Sequence, residues 1–212
     1  MRPVILRCLL LLVVAALSGC GNLVQSDEPL FSKATAGAPP KLKPGLWRSV
    51  EPSCQVDVDE TVSRWPDCAA AMPVGQDGLM EVDEDSELLV VDGDPLVLQM
   101  GPPEAEAGAT YSYMAMKPAR HDRRGRVLEF GAWWVVCGPP PPAGPAPEKG
   151  SRERRVTLEP LPGLEIRGDD CIARDPEAVR RAARASEAWS VRLTYQWVRP
   201  LRFGEAKWLA SR

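Results

Sequence analysis

The chain has 212 residues and a formal net charge of −3, a length that suits one domain with a real core and carries no internal repeat. Six cysteines are present without any CxxC pair, which leaves a thioredoxin-like redox site without support. Charge is lopsided: residues 51–110 hold 15 acids against one base, Arg64, whereas residues 111–212 hold 12 acids against 19 bases. Such asymmetry either steers association or is neutralised when one sheet brings the two halves together, and the second reading is preferred.

The chain opens with Arg2 and Arg7 around a ten-residue apolar core at residues 8–17. A membrane-spanning helix needs about 20 residues, so this pattern reads as a secretory signal. The following residues, Leu17, Ser18, Gly19 and Cys20, resemble the lipobox of bacterial lipoproteins. That resemblance covers residues 1–20. It implies cleavage before Cys20, thioether-linked diacylglycerol on its sulfur and acylation of its new amino group. One acyl chain binds a bilayer only marginally, and several anchor a protein stably. Gly21 stands where aspartate retains many such proteins in the inner membrane, so by analogy the expected location is the outer membrane, facing the periplasm. Export also argues against a nucleic-acid partner.

Three parts follow: a signal peptide at 1–19, a lipidated start and flexible tether at 20–44, and a single globular domain at 45–212. As a coil, the 24 residues from 21 to 44 would reach roughly 25–30 Å. "PGLW" at 44–47 resembles, over these four residues alone, the start of a class of small exported β-rich proteins. Cys54, Cys68, Cys137 and Cys171 remain after Cys8 leaves with the signal and Cys20 takes lipid. An even number in an exported chain reads as disulfides. Of the three connectivities, pairing sequence neighbours, Cys54–Cys68 and Cys137–Cys171, is the expectation.

"ELLVVDGDPLVLQM" (87–100) places two β-branched runs around Asp92-Gly93, a hairpin signal, with Pro95 confined to an edge or bulge. "TYSYMAM" (110–116) and "VLEFGAWWVVC" (127–137) form a second hairpin around a polar, basic loop, "KPARHDRRGR" (117–126). The proline run at 138–147 supports neither helix nor ladder. "RVTLEPLPGLEIRG" (155–168) suggests two short strands turning at Pro162-Gly163. One helix is expected near 175–188, with Asp175 as N-cap, Pro176 in the first turn and Glu177 complementing the dipole. Its buried face would be Val179, Ala182, Ala183 and Ser186. The last strand, "VRLTYQW", alternates Val191, Leu193, Tyr195 and Trp197 inward.

Candidate chemistry is sparse. His121 lies among arginines with nothing to orient it as a base, and neither GxSxG nor SxxK occurs. Asp57, Asp59 and Glu60, then Asp83, Glu84, Asp85 and Glu87, read as a solvated acidic edge, since the EF-hand glycine is missing. Trp133-Trp134 would face opposite ways in a strand, one in the core and one free to stack on a sugar. The sharper candidate is an anion contact by Lys117, Arg120, Arg123, Arg124 and Arg126, because arginine forks match phosphate and carboxylate.

The expected fold is therefore α+β and β-rich: a curved antiparallel sheet or small barrel with one packed helix. The expected function is that of a non-catalytic, lipid-anchored envelope protein without metal or cofactor, binding an envelope protein or an anionic envelope polymer. The alternatives are a carboxylate enzyme acting on peptidoglycan or glycolipid, and a small β-cup for an apolar ligand.

Overall fold

The computed structural model describes residues 22–51, 54–66, 68–80, 87–102, 110–140 and 159–210. The signal peptide, Cys20 and Gly21, the acids Asp83, Glu84 and Asp85, most of the proline run and the strand expected near 155–158 lie outside them.

Among the described residues ten strands form one sheet: β1 (Val24–Ser26), β2 (Gly45–Ser49), β3 (Ala71–Val74), β4 (Glu87–Val91), β5 (Leu96–Gly101), β6 (Tyr111–His121), β7 (Val127–Trp134), β8 (Leu164–Arg167), β9 (Asp170–Ala173) and β10 (Leu193–Arg199). Two helices accompany them, α1 (Pro176–Ser186) and the short α2 (Glu205–Ala210). The fold is α+β and β-rich, as the sequence implies. Seven strands run antiparallel in the order β4-β5-β6-β7-β10-β2-β3. Both expected hairpins are present, β4–β5 in the register Val91↔Val97 and β6–β7 in the register Met114↔Trp134. Pro95 sits in the turn, where its missing N–H costs no ladder bond.

Alternation of side chains gives the sheet two dry faces. On the concave face Leu96 and Leu98 of β5, Met116 of β6, Phe130 and Ala132 of β7, Trp47 of β2 and Val74 of β3 pack together with Leu42. Aromatic rings fill the middle: Phe130 stacks on Tyr195 at 5.2 Å and meets Trp47 at 5.4 Å. On the opposite face Val97, Tyr113, Ala115 and Trp133 meet α1 through Val179, Ala182 and Ala183. Small helix residues let the two backbones approach closely. Asp175 caps α1 by accepting a 2.8 Å bond from the Ala178 N–H, and the Trp133 indole donates to the Ala183 carbonyl at 3.0 Å. Of the adjacent tryptophans, Trp133 is fully buried and Trp134 is 37% exposed.

A second cover lies over β2 and β10, where Leu46 packs with Val62 and Trp65. Cys54–Cys68 closes that segment, and Cys137–Cys171 joins the end of β7 to β9. Both pairs join sequence neighbours, as expected. Arg199 reaches Glu205 through two 2.8 Å bonds and also donates to the Val58 and Glu60 carbonyls, tying the loop to α2.

Three expectations need correction. First, residues 22–44 are no tether: Val24, Phe31, Ala36 and Leu42 are buried, and β1 lies between β6 and β9. After Val135, β7 peels off β6, and β1 takes the vacated edge. A three-residue strand is too short to show periodicity. Second, β6 continues through Lys117–His121, despite Pro118, by register shifts on either side of Arg120. Third, Val191 lies outside β10 and is 80% exposed. Strand β8 turns at Gly168-Asp169 and pairs with β9; the strand expected before Pro162-Gly163 lies outside the described residues.

Candidate functional site

Strand β6 is the longest in the sheet at 11 residues, and its end together with the turn that follows carries the five cations singled out above. The turn spans Asp122–Arg126 and is built around one carboxylate. Asp122 accepts from the Arg124 and Arg126 N–H groups at 2.8 and 3.0 Å and pairs with the Arg126 guanidinium at 2.7 Å. Desolvation opposes its ionisation, but these bonds outweigh it and hold the Asp122 carboxyl at about 2. Gly125 closes the turn at φ +76°, a left-handed conformation that glycine adopts without strain.

The five cations divide into two groups. Lys117 lies 3.8 Å from Glu187, Arg120 lies 3.5 Å from Glu129, and Arg126 is bound to Asp122. Arg123 and Arg124 are exposed, and among the described residues neither has an ion-pair partner. The structure therefore presents two free guanidinium groups at the apex, with Arg120 weakly held behind them. His121 is exposed at the strand end opposite Val127.

Two clefts add detail that sequence reasoning missed. One, of about 280 Å³, opens at the rim of the concave face between Pro39–Leu42, Gly78–Met80, Val90 and Met116, and its lining is mostly apolar. It lies on the same end of the sheet as the basic turn, because the Val127 N–H bonds the Lys41 carbonyl and the Lys43 N–H bonds the Val127 carbonyl. Small-molecule sites usually enclose about 300–1,000 Å³, so this cleft is a shallow feature. The other, about 410 Å³, lies between Phe31–Ala34 and Glu87–Leu89 beside the 2.9 Å Lys33–Glu87 pair.

Among the described residues no three carboxylates converge. Asp57 and Asp59 share a turn, where the Asp57 side chain accepts the Asp59 N–H, and not a strand face. Hydrogen bonds from Arg167, Arg174 and Arg199 lower the pKa of Asp27, Glu165 and Glu205 respectively, the last to about 2. A carboxylic acid acting as proton donor near neutrality needs the opposite shift. The expected neutralisation between the two halves is not what the ion pairs show: among the described residues they fall mainly inside 111–212, as in Arg174–Glu165 and Arg192–Glu187, and none joins an acid of 51–110 to a base of 111–212.

No protein-family model, curated protein or solved structure matches the chain.

Proposed function

We propose that this is a lipid-anchored cell-envelope protein, held through Cys20 in the outer membrane and facing the periplasm, whose work is non-catalytic binding. The reading rests chiefly on one observation, the sequence Leu17-Ser18-Gly19-Cys20 at the end of a ten-residue apolar core whose last residue is Leu17. The two disulfides support it, because such bonds persist in oxidising compartments. The binding element is the β6–β7 turn. Arg123 and Arg124 stand free at its apex, and guanidinium forks engage carboxylates and phosphates bidentately. The ligand class is an anionic envelope polymer.

Intact-mass analysis of membrane-extracted protein tests the anchor. The expected mass begins at Cys20 and includes diacylglycerol and an N-acyl group; an unmodified mature amino terminus overturns the reading. Changing Arg120, Arg123 and Arg124 together to Ser tests the binding element. Exposed pairs contribute only about 0–1 kcal/mol each, so the melting temperature should hold. Retention on isolated envelope fractions should fall, and wild-type retention should weaken with salt, since charges are screened beyond about 8 Å at physiological ionic strength. Unchanged, salt-insensitive retention of the triple variant makes the turn plain solvated surface.

A further inference from the structure

A polar strip of the sheet's outer face lies between α1 and the second cover. Phe130 and Ala132 pack in the concave face, so Glu129 and Gly131 face the other way, towards the side that α1 occupies. Cross-strand partners share a face. The register therefore sets Arg120, Glu129, Gln196 and Arg48 in one row across β6, β7, β10 and β2. Three strand spacings separate the ends of that row, about 14 Å. Arg120 lies 3.5 Å from Glu129, and the Gln196 amide donates to Glu129 at 3.0 Å. Arg48 at the far end is half-buried and has no ion-pair partner among the described residues. The next row along holds Lys117 opposite Gly131. A side chain at 131 would collide with the Arg192 guanidinium. Glycine weakens a strand interior and marks places where another group comes close; here that group is Arg192. Glu187 is the C-cap of α1, at the helix end that disfavours a carboxylate. Two cations hold it there, Lys117 at 3.8 Å and Arg192 at 3.2 Å.

We infer that this strip is a track for an acidic polysaccharide, continuing the basic turn across the sheet to Arg48, with Glu187 standing in one of its anion positions. The inference rests on anion binding by the β6–β7 turn as proposed above. Arg120 belongs to both, so turn and strip form one surface. On the strip Arg48, Lys117, Arg120 and Arg192 outnumber Glu129 and Glu187, which gives it the sign that an anionic polymer complements. The cations are not contiguous, because Glu129 and Gln196 separate Arg120 from Arg48. A chain laid along the row meets a cation, then hydrogen-bonding groups, then a second cation. A polysaccharide whose acids are set apart by hydroxyl-bearing sugar supplies that order. The Glu129 carboxylate accepts hydroxyls and repels an unbroken run of anions. Lys117 and Arg192 can exchange Glu187 for a ligand carboxylate, since one exposed ion pair replaces another at little cost.

The test uses the full chain extracted in detergent and measures its affinity for carboxymethyl-dextran of low substitution. Arg48→Ser should weaken binding about two- to fivefold, the loss expected for one exposed charge contact, and Arg48→Lys should restore most of it. Glu187→Gln should strengthen binding by a similar factor of about two to five, because it releases Lys117 and Arg192. Raising the salt should shrink both changes. Melting temperatures should match the wild type, so that neither change in affinity reflects unfolding. The Arg120, Arg123 and Arg124 triple variant reports on the turn separately. If it loses affinity while Arg48→Ser and Glu187→Gln bind like the wild type, the track is overturned and the turn stands. A wild-type result for either of those two single variants alone also overturns the track. Unchanged affinity in the triple variant defeats instead the reading on which the track rests. Absence of wild-type binding to carboxymethyl-dextran, or equal binding to unsubstituted dextran, overturns the acidic polysaccharide. Stronger binding of polyglutamate at equal charge makes the partner an acidic polypeptide and overturns it too.

Discussion

The two covers on the outer face of the sheet are held by different physics. Helix α1 covers β6 and β7 with Ala178, Val179, Ala182 and Ala183, all inaccessible to solvent, against a fully buried Trp133. Among the described residues the cover over β2 and β10 has a core of three buried residues, Leu46, Val62 and Trp65. It is completed by a disulfide and by the Arg199–Glu205 pair, whose side chains are 13% and 7% exposed. Apolar burial is indifferent to pH. A buried carboxylate is not, because its stabilising bonds exist only while it is ionised. One sheet therefore carries a cover that should be insensitive to acid and a cover that acid should loosen.

The largest effect is expected on the first cover. Trp133→Ala removes both the buried indole and its bond to the Ala183 carbonyl. Loss of such a side chain costs about 3–5 kcal/mol, measurable as a lower urea midpoint. A loss below about 1 kcal/mol would mean that α1 is held by other contacts.

Next comes the second cover. Glu205→Gln removes the charge that Arg199 faces, and breaking a buried pair from one side costs on the order of 3 kcal/mol. The pH dependence has a definite sign. The Glu205 carboxyl is lowered from 4.5 to about 2, chiefly by the Arg199 hydrogen bonds. Its contribution is complete above about pH 4.5 and is lost as pH falls towards 2. Hydrogen exchange in Val62–Arg64 and α2 should accelerate over that window in the wild type, ahead of exchange in α1. In Glu205→Gln the acid-dependent acceleration should be absent. Parallel acceleration of both covers would erase the contrast.

The smallest effect sharpens the comparison on the helix side. Tyr113 is buried, with its hydroxyl 2.6 Å from that of Ser26, and burial pushes its phenol from 10 up to about 12. The native state keeps this proton longer than the unfolded chain does. Stability from this group is therefore full below pH 10 and declines as pH rises towards 12. Absorbance titration should show Tyr113 ionising late, beside Tyr195, which burial also raises, and Tyr113→Phe should remove the Tyr113 step alone while costing about 1 kcal/mol for the lost hydrogen bond. The first cover is thus touched by alkali and the second by acid.

How much of this was legible in the chain varies with the range of the interaction. The β4–β5 and β6–β7 hairpins follow from β-branched runs around turn residues, and α1 follows from Asp175, Pro176 and a stripe of small residues; all three are local signals. The cysteine pairing was legible because short loops close most easily. Strand β1 was not, since Val24–Ser26 has meaning only beside Ser112 and Cys171, about 90 and 150 residues away along the chain. Likewise the five cations at 117–126 could be counted, but which of them are free could not. Glu129, Glu187 and Asp122 neutralise three of them, and the first two are brought close by the register of β7 and by the end of α1.

What the sequence by itself determined is thus the set of locally encoded parts: the hairpins, the capped helix and a cationic turn. Only the tertiary structure decided where these stand relative to one another. The would-be tether became the inserted strand β1, gripped between the segments that Cys137 and Cys171 join, while the basic turn went to the far end of β6. The reason is physical: propensity and capping act over a few residues, whereas an edge left open when β7 departs can be filled by any segment of suitable shape.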